Sequence, residues 1–345
     1  MKQFRLSVVL IAIGSLVAAC GGPGATPQPT GADGTPAAGD GGGEAPEQLV
    51  IGFVPSREAG ALVEDIQPLA DHLEEQLGMP VEGIVSTDYT GLVTAMETGQ
   101  AHVGALPPFG MLQAVTRADA EIILQSERFG SGTYHTQFFT NEPDKYCTDE
   151  PVENTRMVDD QEVTYLNCNG TDRGPEDTPE GPVGLEALQN IEPGTTVSFV
   201  EQTSSSGYIF PATVLLAEGI DPEADIEPVF AGSHDASVIA VCEGQAEVGA
   251  SFDDARTEAV TECDVANEVV VFAYGPEIPN DGIAVAGSVP DDLREEIKQA
   301  LLDYAETEEG QATLEEIYNI TAFTEPNVEG LEIVRRAVEE LGFEG

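Results

Sequence analysis

Residues Glu201–Pro211 read EQTSSSGYIFP, three serines ahead of a glycine and an apolar run. A helix that starts here leaves its first backbone N–H groups without partners inside the helix. With the hydroxyls of Ser204, Ser205 and Ser206, those groups can donate several hydrogen bonds to a tetrahedral oxyanion, and the helix dipole adds a favourable potential. N-capping explains only one hydroxyl, so the triplet favours an anion site over a simple cap. A second helix start, GSHDAS, carries His234. Protonated, His234 supplies a local cation; neutral, it still donates one hydrogen bond. Serine and histidine together also raise hydrolysis, but there is no GxSxG elbow and nothing sets a serine beside the histidine as its base. No CxxC or HxxxH spacing supports zinc. No metal and no cofactor are expected.

The chain has 345 residues, with 13 basic and 63 acidic side chains and a formal net charge of −50. Nucleic acid is excluded as a partner, because that requires a basic face. The acidity reads as a solvating, self-repelling surface. It need not set the field inside a cleft, since charges beyond a Debye length of ~8 Å are largely screened. Aimed neutral dipoles suffice there, with no lysine or arginine required.

Residues 1–19 read as a signal peptide: a positive start, MKQFR, then an apolar run too short for an ordinary spanning helix. The stretch LVAAC, ending at Cys20, is similar to a bacterial lipobox, which implies cleavage before Cys20 and its lipidation. Residues 20–47 are rich in Gly, Pro and Ala and cannot bury a core, so they form a flexible tether. Four further cysteines, Cys147, Cys168, Cys242 and Cys263, suggest disulfides in an exported chain. Three pairings are possible; the sequence-local one, Cys147–Cys168 with Cys242–Cys263, is expected because each bridge closes a loop of about 20 residues.

The architecture follows from a repeat. GQAHVGA at 99–105 returns as GQAEVGA at 244–250. Each copy follows a helix-like segment, ends it at Gly-Gln, and opens a short apolar strand. Upstream, LVIGFV, a helix over Ala61–Leu77 and VEGIV match TVSFV, the helix in GYIFPATVLLAEG and IEPVF. Each half is strand–helix–strand–helix–strand, the pattern of a parallel sheet covered by helices. Ligands of such sheets sit beyond the carboxyl ends of the strands. That nominates the loops Pro55–Ala59, Thr87–Thr90 and Pro107–Phe109 in one half, and Glu201–Gly207, Gly232–Asp235 and Ser251–Asp254 in the other. The repeat offset sets Tyr89 opposite His234, and Phe109 opposite Asp254. Between the halves, residues 141–194 read as an acidic, loop-rich insertion, expected to be a surface excursion without site residues.

The motifs TDYTGLVTAMETGQ, GTYHTQFF, TSSSGYIFP, FAGSHDASVIAV and PEIPNDGIAV occur in this order from about Leu49 onward. Together they resemble the substrate-binding proteins of phosphonate, phosphite and phosphate importers of the ABC type. The resemblance implies an α/β, two-lobed type II periplasmic-binding fold, each lobe a mainly parallel sheet flanked by helices, with the ligand in the interlobe cleft. Lobe 1 is expected over 48–140 plus 270–345, and lobe 2 over 141–269. Carried over position by position, the pocket falls on Tyr89, Tyr134, Ser204, Ser205, Ser206, His234, Asp254 and Asp281. His135 replaces Tyr134 if the strand register differs by one, and Asp253 is a close rival to Asp254. TSSSG stands where Ser-Thr-Ser-Gly is more usual, and LPPF lacks the commoner Gly-Pro. The two acids are expected to accept from a protonated P–OH or from the ammonium of an aminoalkyl phosphonate; an acid repels sulfate, which carries no such proton.

What the resemblance implies is capture of a small phosphorus oxyanion by lobe closure and its delivery to an ABC permease and ATPase complex, with no bond made or broken. The protein is expected to be a monomer, extracytoplasmic and held by lipid to the outer face of the cell membrane, or periplasmic. A ligand sensor docked on a signalling receptor shares the fold, and a phosphoester hydrolase using Ser, His and Asp is the reading from another class.

Overall fold

The structure, a computed structural model, describes residues 45–343 apart from 129, 159–160, 172–181 and 260–262. The expected signal peptide, the lipidated Cys20 and the tether up to residue 44 lie outside the described residues.

The described strands are β1 Leu49–Phe53, β2 Val81–Val85, β3 Val103–Leu106, β4 Glu121–Glu127, β5 Thr133–Thr140, β6 Val152–Val158, β7 Gln161–Asn167, β8 Thr196–Phe199, β9 Glu227–Phe230, β10 Val248–Phe252, β11 Val270–Pro279, β12 Gly282–Val285 and β13 Ala322–Thr324. They form a six-stranded sheet in the order β13-β4-β12-β3-β1-β2 and a seven-stranded sheet in the order β6-β7-β11-β5-β10-β8-β9.

The repeat builds one half of each sheet. β1 pairs in parallel with β2 and β3, and β8 pairs in parallel with β9 and β10, so the first strand of each half is its centre. The next helices, Tyr89–Glu97 and His234–Cys242, are capped alike. Asp88 accepts from Gly91 N at 2.5 Å, and Ser233 accepts from Ala236 N at 3.4 Å. Gly99 and Gly244 close them at φ +73° and +70°, a left-handed turn that glycine enters without a Cβ penalty. The helix expected over Ala61–Leu77 is two helices, Ala59–Asp65 and Gln67–Leu77. Pro68 lacks the N–H that would bond back to Glu64, and the chain turns there.

The chain crosses between the sheets twice, over residues 128–132 and 280–281. β5 and β11, which flank these crossings, pair with each other and lie in the seven-stranded sheet. A division at 140 and 270 assigns both strands to the other lobe; the sheets divide near 128 and 280 instead, because antiparallel pairing holds these strands to β10 and to each other. Asn280 ties the crossings together: its Nδ2 donates to Ser126 O at 3.1 Å and Ser131 O at 2.8 Å. The C-terminal helix Leu331–Glu340 buries Leu331, Val334, Ala337 and Val338. Beyond it, the Phe343 ring lies 6.5 Å from Phe109 and 6.2 Å from Tyr208, touching both halves.

The described part of the insertion is not a loop-rich excursion. β6 and β7 form a hairpin, and β7 joins β11 in parallel at the sheet edge. The alternation in QEVTYLN turns Tyr165 and Asn167 inward, both fully buried. Disulfides Cys147–Cys168 and Cys242–Cys263 close with Cα separations of 5.1 and 6.6 Å, the sequence-local pairing.

Candidate functional site

Where the strand ends and helix starts converge, the sheets enclose a cavity of about 50 Å³. The six-stranded side contributes Val54, Ser56, Arg57, Tyr89 and Pro107, joined by Tyr318. The seven-stranded side contributes Tyr134, Ser204, Ser205, Ser206, His234, Phe252 and Glu258. Arg128 and Asp281, one from each crossing, also line the cavity, as do Ile317 and Asn319. Seven of the eight residues carried over from the sequence line this one space; Asp254 does not. A wider groove of about 710 Å³ opens between Thr94 and Gln202 and contains none of the eight.

The two sides touch around the cavity. His234 N donates to Ser56 O at 2.9 Å, Phe109 N donates to Ser205 Oγ at 3.1 Å, and Asn319 Nδ2 donates to Glu258 Oε1 at 3.2 Å. Glu201, at the start of the loop that follows β8, reaches across to accept from Tyr89 N at 3.2 Å and is steadied by Thr203 Oγ1 at 2.9 Å. A carboxylate on a helix N-terminus is a favourable pairing. Burial nevertheless raises the Glu201 carboxyl, against the pull of those two bonds.

The serine loop is held by its glycine. A Cβ on Gly207 would lie 2.4 Å from Val200 Cγ2, so only glycine lets the loop fold onto β8. The helix opens with a π-helical turn over Ser205–Ile209 and continues as Phe210–Ala217. Ser204 is the cap, accepting from Gly207 N at 3.2 Å. Ser205 is engaged by the opposite side through Phe109 N. Ser206 faces the Tyr134 phenol. The hydroxyls therefore each have a distinct neighbour, and are not three equivalent free donors.

Tyr89 and His234, the first residues of the two repeat-related helices, meet at the cavity. The Tyr89 hydroxyl is buried and faces Ser204 without a partner in hydrogen-bonding geometry. Burial raises the phenols of Tyr89 and Tyr134 well above their ordinary range, so both remain donors. His234 is not the local cation: burial first, and then the nearby Arg128, push it down to about 3. Its Nδ1 lies 2.6 Å from Ser251 Oγ. A neutral ring that accepts there carries its proton on Nε2, which remains a donor.

The cations are Arg57 and Arg128, contrary to a site built from neutral dipoles alone. Arg57 Nη2 holds Asp65 Oδ2 at 2.6 Å and also donates to Glu316 O. Arg128 Nη2 holds Asp281 Oδ2 at 2.6 Å, with its guanidinium 5.7 Å over the Tyr134 ring. Burial pushes the Asp281 carboxyl up, against the pull of Arg128. The Nε atoms of both arginines are buried without partners. With Tyr89 Oη, three residues of the cavity wall thus carry a buried, unsatisfied donor. An acceptor entering the cavity would satisfy these donors.

Asp254 is elsewhere. It lies beneath the insertion hairpin, gripped by Arg256 through Nε–Oδ1 at 2.9 Å and Nη2–Oδ2 at 2.6 Å. Arg256 is fully buried and also donates to Leu166 O at 2.6 Å and Asn167 Oδ1 at 2.9 Å, both from β7. Burial alone would raise the Asp254 carboxyl, but Arg256, then Arg156 and Gln137, hold it at about 2. No described residue of the insertion lines the cavity, and its Arg156 and Asn167 help fix Asp254 and Arg256. Asp253 also stays off the wall; its Oδ1 accepts from His135 N at 2.9 Å. His135 is fully buried outside the cavity, so the strand register presents Tyr134.

Sequence reasoning missed Arg57, Arg128, Glu258 and Tyr318. Arg57 sits in the nominated loop Pro55–Ala59 and is one of only 13 basic residues; that scarcity was a usable signal. Arg128 lies on a crossing segment, outside the loops that strand ends nominate.

A family model described as "ABC transporter, phosphonate, periplasmic substrate-binding protein" matches residues 51–330. Over 256 residues the chain is 26% identical to the phosphate-import protein PhnD of Mycolicibacterium smegmatis, covering 72% of this chain and 65% of that protein. The chain thus spans just under two thirds of that relative's length. The structure of PhnD1 from Prochlorococcus marinus in complex with methylphosphonate superimposes with a TM-score of 0.68 at 16% identity, over 86% of this chain and 98% of that one. A binding protein component of an ABC phosphonate transporter from Pseudomonas aeruginosa gives 0.67 at 18% identity, over 84% and 85%. These two neighbours share the two-lobed type II periplasmic-binding fold.

Proposed function

Because the chain belongs to the family of periplasmic substrate-binding proteins of phosphonate ABC transporters, we propose that it captures a small phosphorus oxyanion (a phosphonate, phosphite or phosphate) between its lobes and hands it to a membrane permease and its ATPase. The observation that carries this reading is the unsatisfied Tyr89 hydroxyl, buried beside the serine triplet and backed by two arginines with unpartnered Nε atoms. A tetrahedral oxyanion supplies acceptors on several sides at once, which matches donors arriving from both lobes.

Closure is proposed about the crossings at 128–132 and 280–281, with lobe 1 and lobe 2 as the bodies that move. A ligand stabilises the closed state by contacts that only the closed state makes. Tyr89 and Ser204–Ser206 come from opposite sheets, so an anion bridging them rewards closure directly. No bond chemistry is proposed. His234 Nδ1 is committed to Ser251, a fully buried serine off the cavity wall, which argues against a base for Ser204–Ser206. Lipidation at Cys20, anchoring to the outer face of the cell membrane, and a monomeric state complete the proposal.

Calorimetric titration of the purified protein with phosphate, phosphite, methylphosphonate and sulfate tests it. Binding of at least one phosphorus anion, with sulfate weaker, is expected. Heat-silent titrations with all three phosphorus ligands, confirmed by unchanged melting temperatures, would remove the reading.

A further inference from the structure

We propose that Arg128 sets the ligand class of this cleft: by occupying Asp281, it makes the pocket accept small, purely anionic phosphorus oxyanions and reject phosphonates that carry an ammonium group. The proposal rests on the oxyanion-capture reading above and narrows it.

Asp281 is the acid on the wall to which an ammonium would be drawn. Its Oδ2 is already held by Arg128 Nη2 at 2.6 Å, from the other crossing segment. The pair is largely enclosed, with side chains 13% and 19% exposed, so water screens it little. An ammonium brought to Asp281 arrives beside a guanidinium, and like charges at such range oppose binding. Glu258, the other acid on the wall, has Oε1 committed to Asn319 at 3.2 Å.

Arg128 is more than a plug. A guanidinium carries five N–H donors in a fixed fork. One arm holds Asp281 while Nε is buried and unpartnered. The same side chain can therefore grip the carboxylate and still donate to an oxyanion. Its charge also reaches His234, where it adds to burial in keeping the imidazole neutral. Arg128 thus acts on three wall groups: Asp281, His234 and Tyr134 beneath it.

Size points the same way. The cavity of about 50 Å³ holds about three to five waters, at 10–15 Å³ each. That suits the few heavy atoms of one tetrahedral anion.

The test is titration of the full protein with phosphate, methylphosphonate and 2-aminoethylphosphonate, in the wild type, Arg128→Met, and Arg128→Met with Asp281→Asn. The wild type should prefer methylphosphonate over 2-aminoethylphosphonate by about 100-fold or more. Arg128→Met frees Asp281 and should shrink that preference at least tenfold. The double variant, which leaves no buried unpaired acid, keeps the test open if the single variant does not fold: it should weaken methylphosphonate at least tenfold and gain nothing for the ammonium ligand. Equal wild-type affinity for the two phosphonates overturns the proposal, as does an unchanged ratio in a folded Arg128→Met. Both of those results leave oxyanion capture standing. A wild type that binds none of the three removes the functional reading itself.

Discussion

Deleting one oxygen atom separates a ligand-gripping tyrosine from a structural one. Tyr89 is 3% exposed, lines the cavity, and has no partner for its hydroxyl. Leaving a buried polar group unsatisfied costs about 1–3 kcal/mol. Tyr89→Phe keeps the ring and removes that cost. Without ligand, the variant should therefore be more stable by about 1–2 kcal/mol, which raises the melting temperature by about 2–5 °C in a protein of this size. The same hydroxyl donating to an anion is a hydrogen bond to a charged group, a contribution of about 1.5–3 kcal/mol. Affinity should then fall by about 10- to 150-fold. The two effects have opposite signs in one variant, so a general loss of structure cannot imitate them. Scanning calorimetry of the ligand-free protein and isothermal titration with methylphosphonate and phosphate read both. A lower melting temperature with unchanged affinity would refute the reasoning, because it would mean that the hydroxyl serves the fold.

The buried His234 predicts a pH dependence. Its folded value of about 3 lies below the ordinary 6.5, so the unfolded chain binds the proton more readily. The stabilisation is fully present above pH 6.5 and is lost as pH falls toward 3, by at most about 5 kcal/mol; urea titrations at pH 7 and 4.5 should show a smaller loss in His234→Gln than in the wild type. Asp254→Asn leaves the buried Arg256 short of its counter-charge and should cost about 3–5 kcal/mol of stability. Oxyanion affinity of the folded variant should stay within about twofold, and a large affinity loss at unchanged stability would return Asp254 to the ligand site. Each disulfide closes a sequence separation of 21 residues. Chain entropy then predicts a loss of about 3 kcal/mol when Cys147 and Cys168 are both replaced by serine, measured by denaturant melts.

Much of the fold was legible because the repeat copies backbone requirements. Gly99 and Gly244 end helices in the left-handed region, and the residues after them enter parallel strands. Tyr89 and His234 were set opposite each other by that offset, and each begins a helix at the cavity. What stayed hidden was long-range pairing. Nothing local to Asp254 announces that Leu166 and Asn167, some ninety positions away, help hold the arginine that neutralises it. Arg128 and Asp281 are 153 residues apart and meet only because both crossings pass the cavity. β5 and β11 could not be assigned to a sheet from periodicity, since an antiparallel pair at a crossing has the same alternation in either lobe.

The outermost strands of the two sheets have a bearing on crowding. An exposed strand edge offers unpaired N–H and C=O groups to any extended chain that drifts against it. Each edge carries a feature that resists such a guest, while β9 also exposes Val229 and Phe230. β13 is three residues long, β9 carries Pro228, which has no N–H to give, β2 turns Glu82 outward, and β6 turns Glu153 outward. Copies of one chain present identical edges to one another, the arrangement in which fibrils start. Blunted edges and strong mutual repulsion from the −50 charge oppose that pairing between copies.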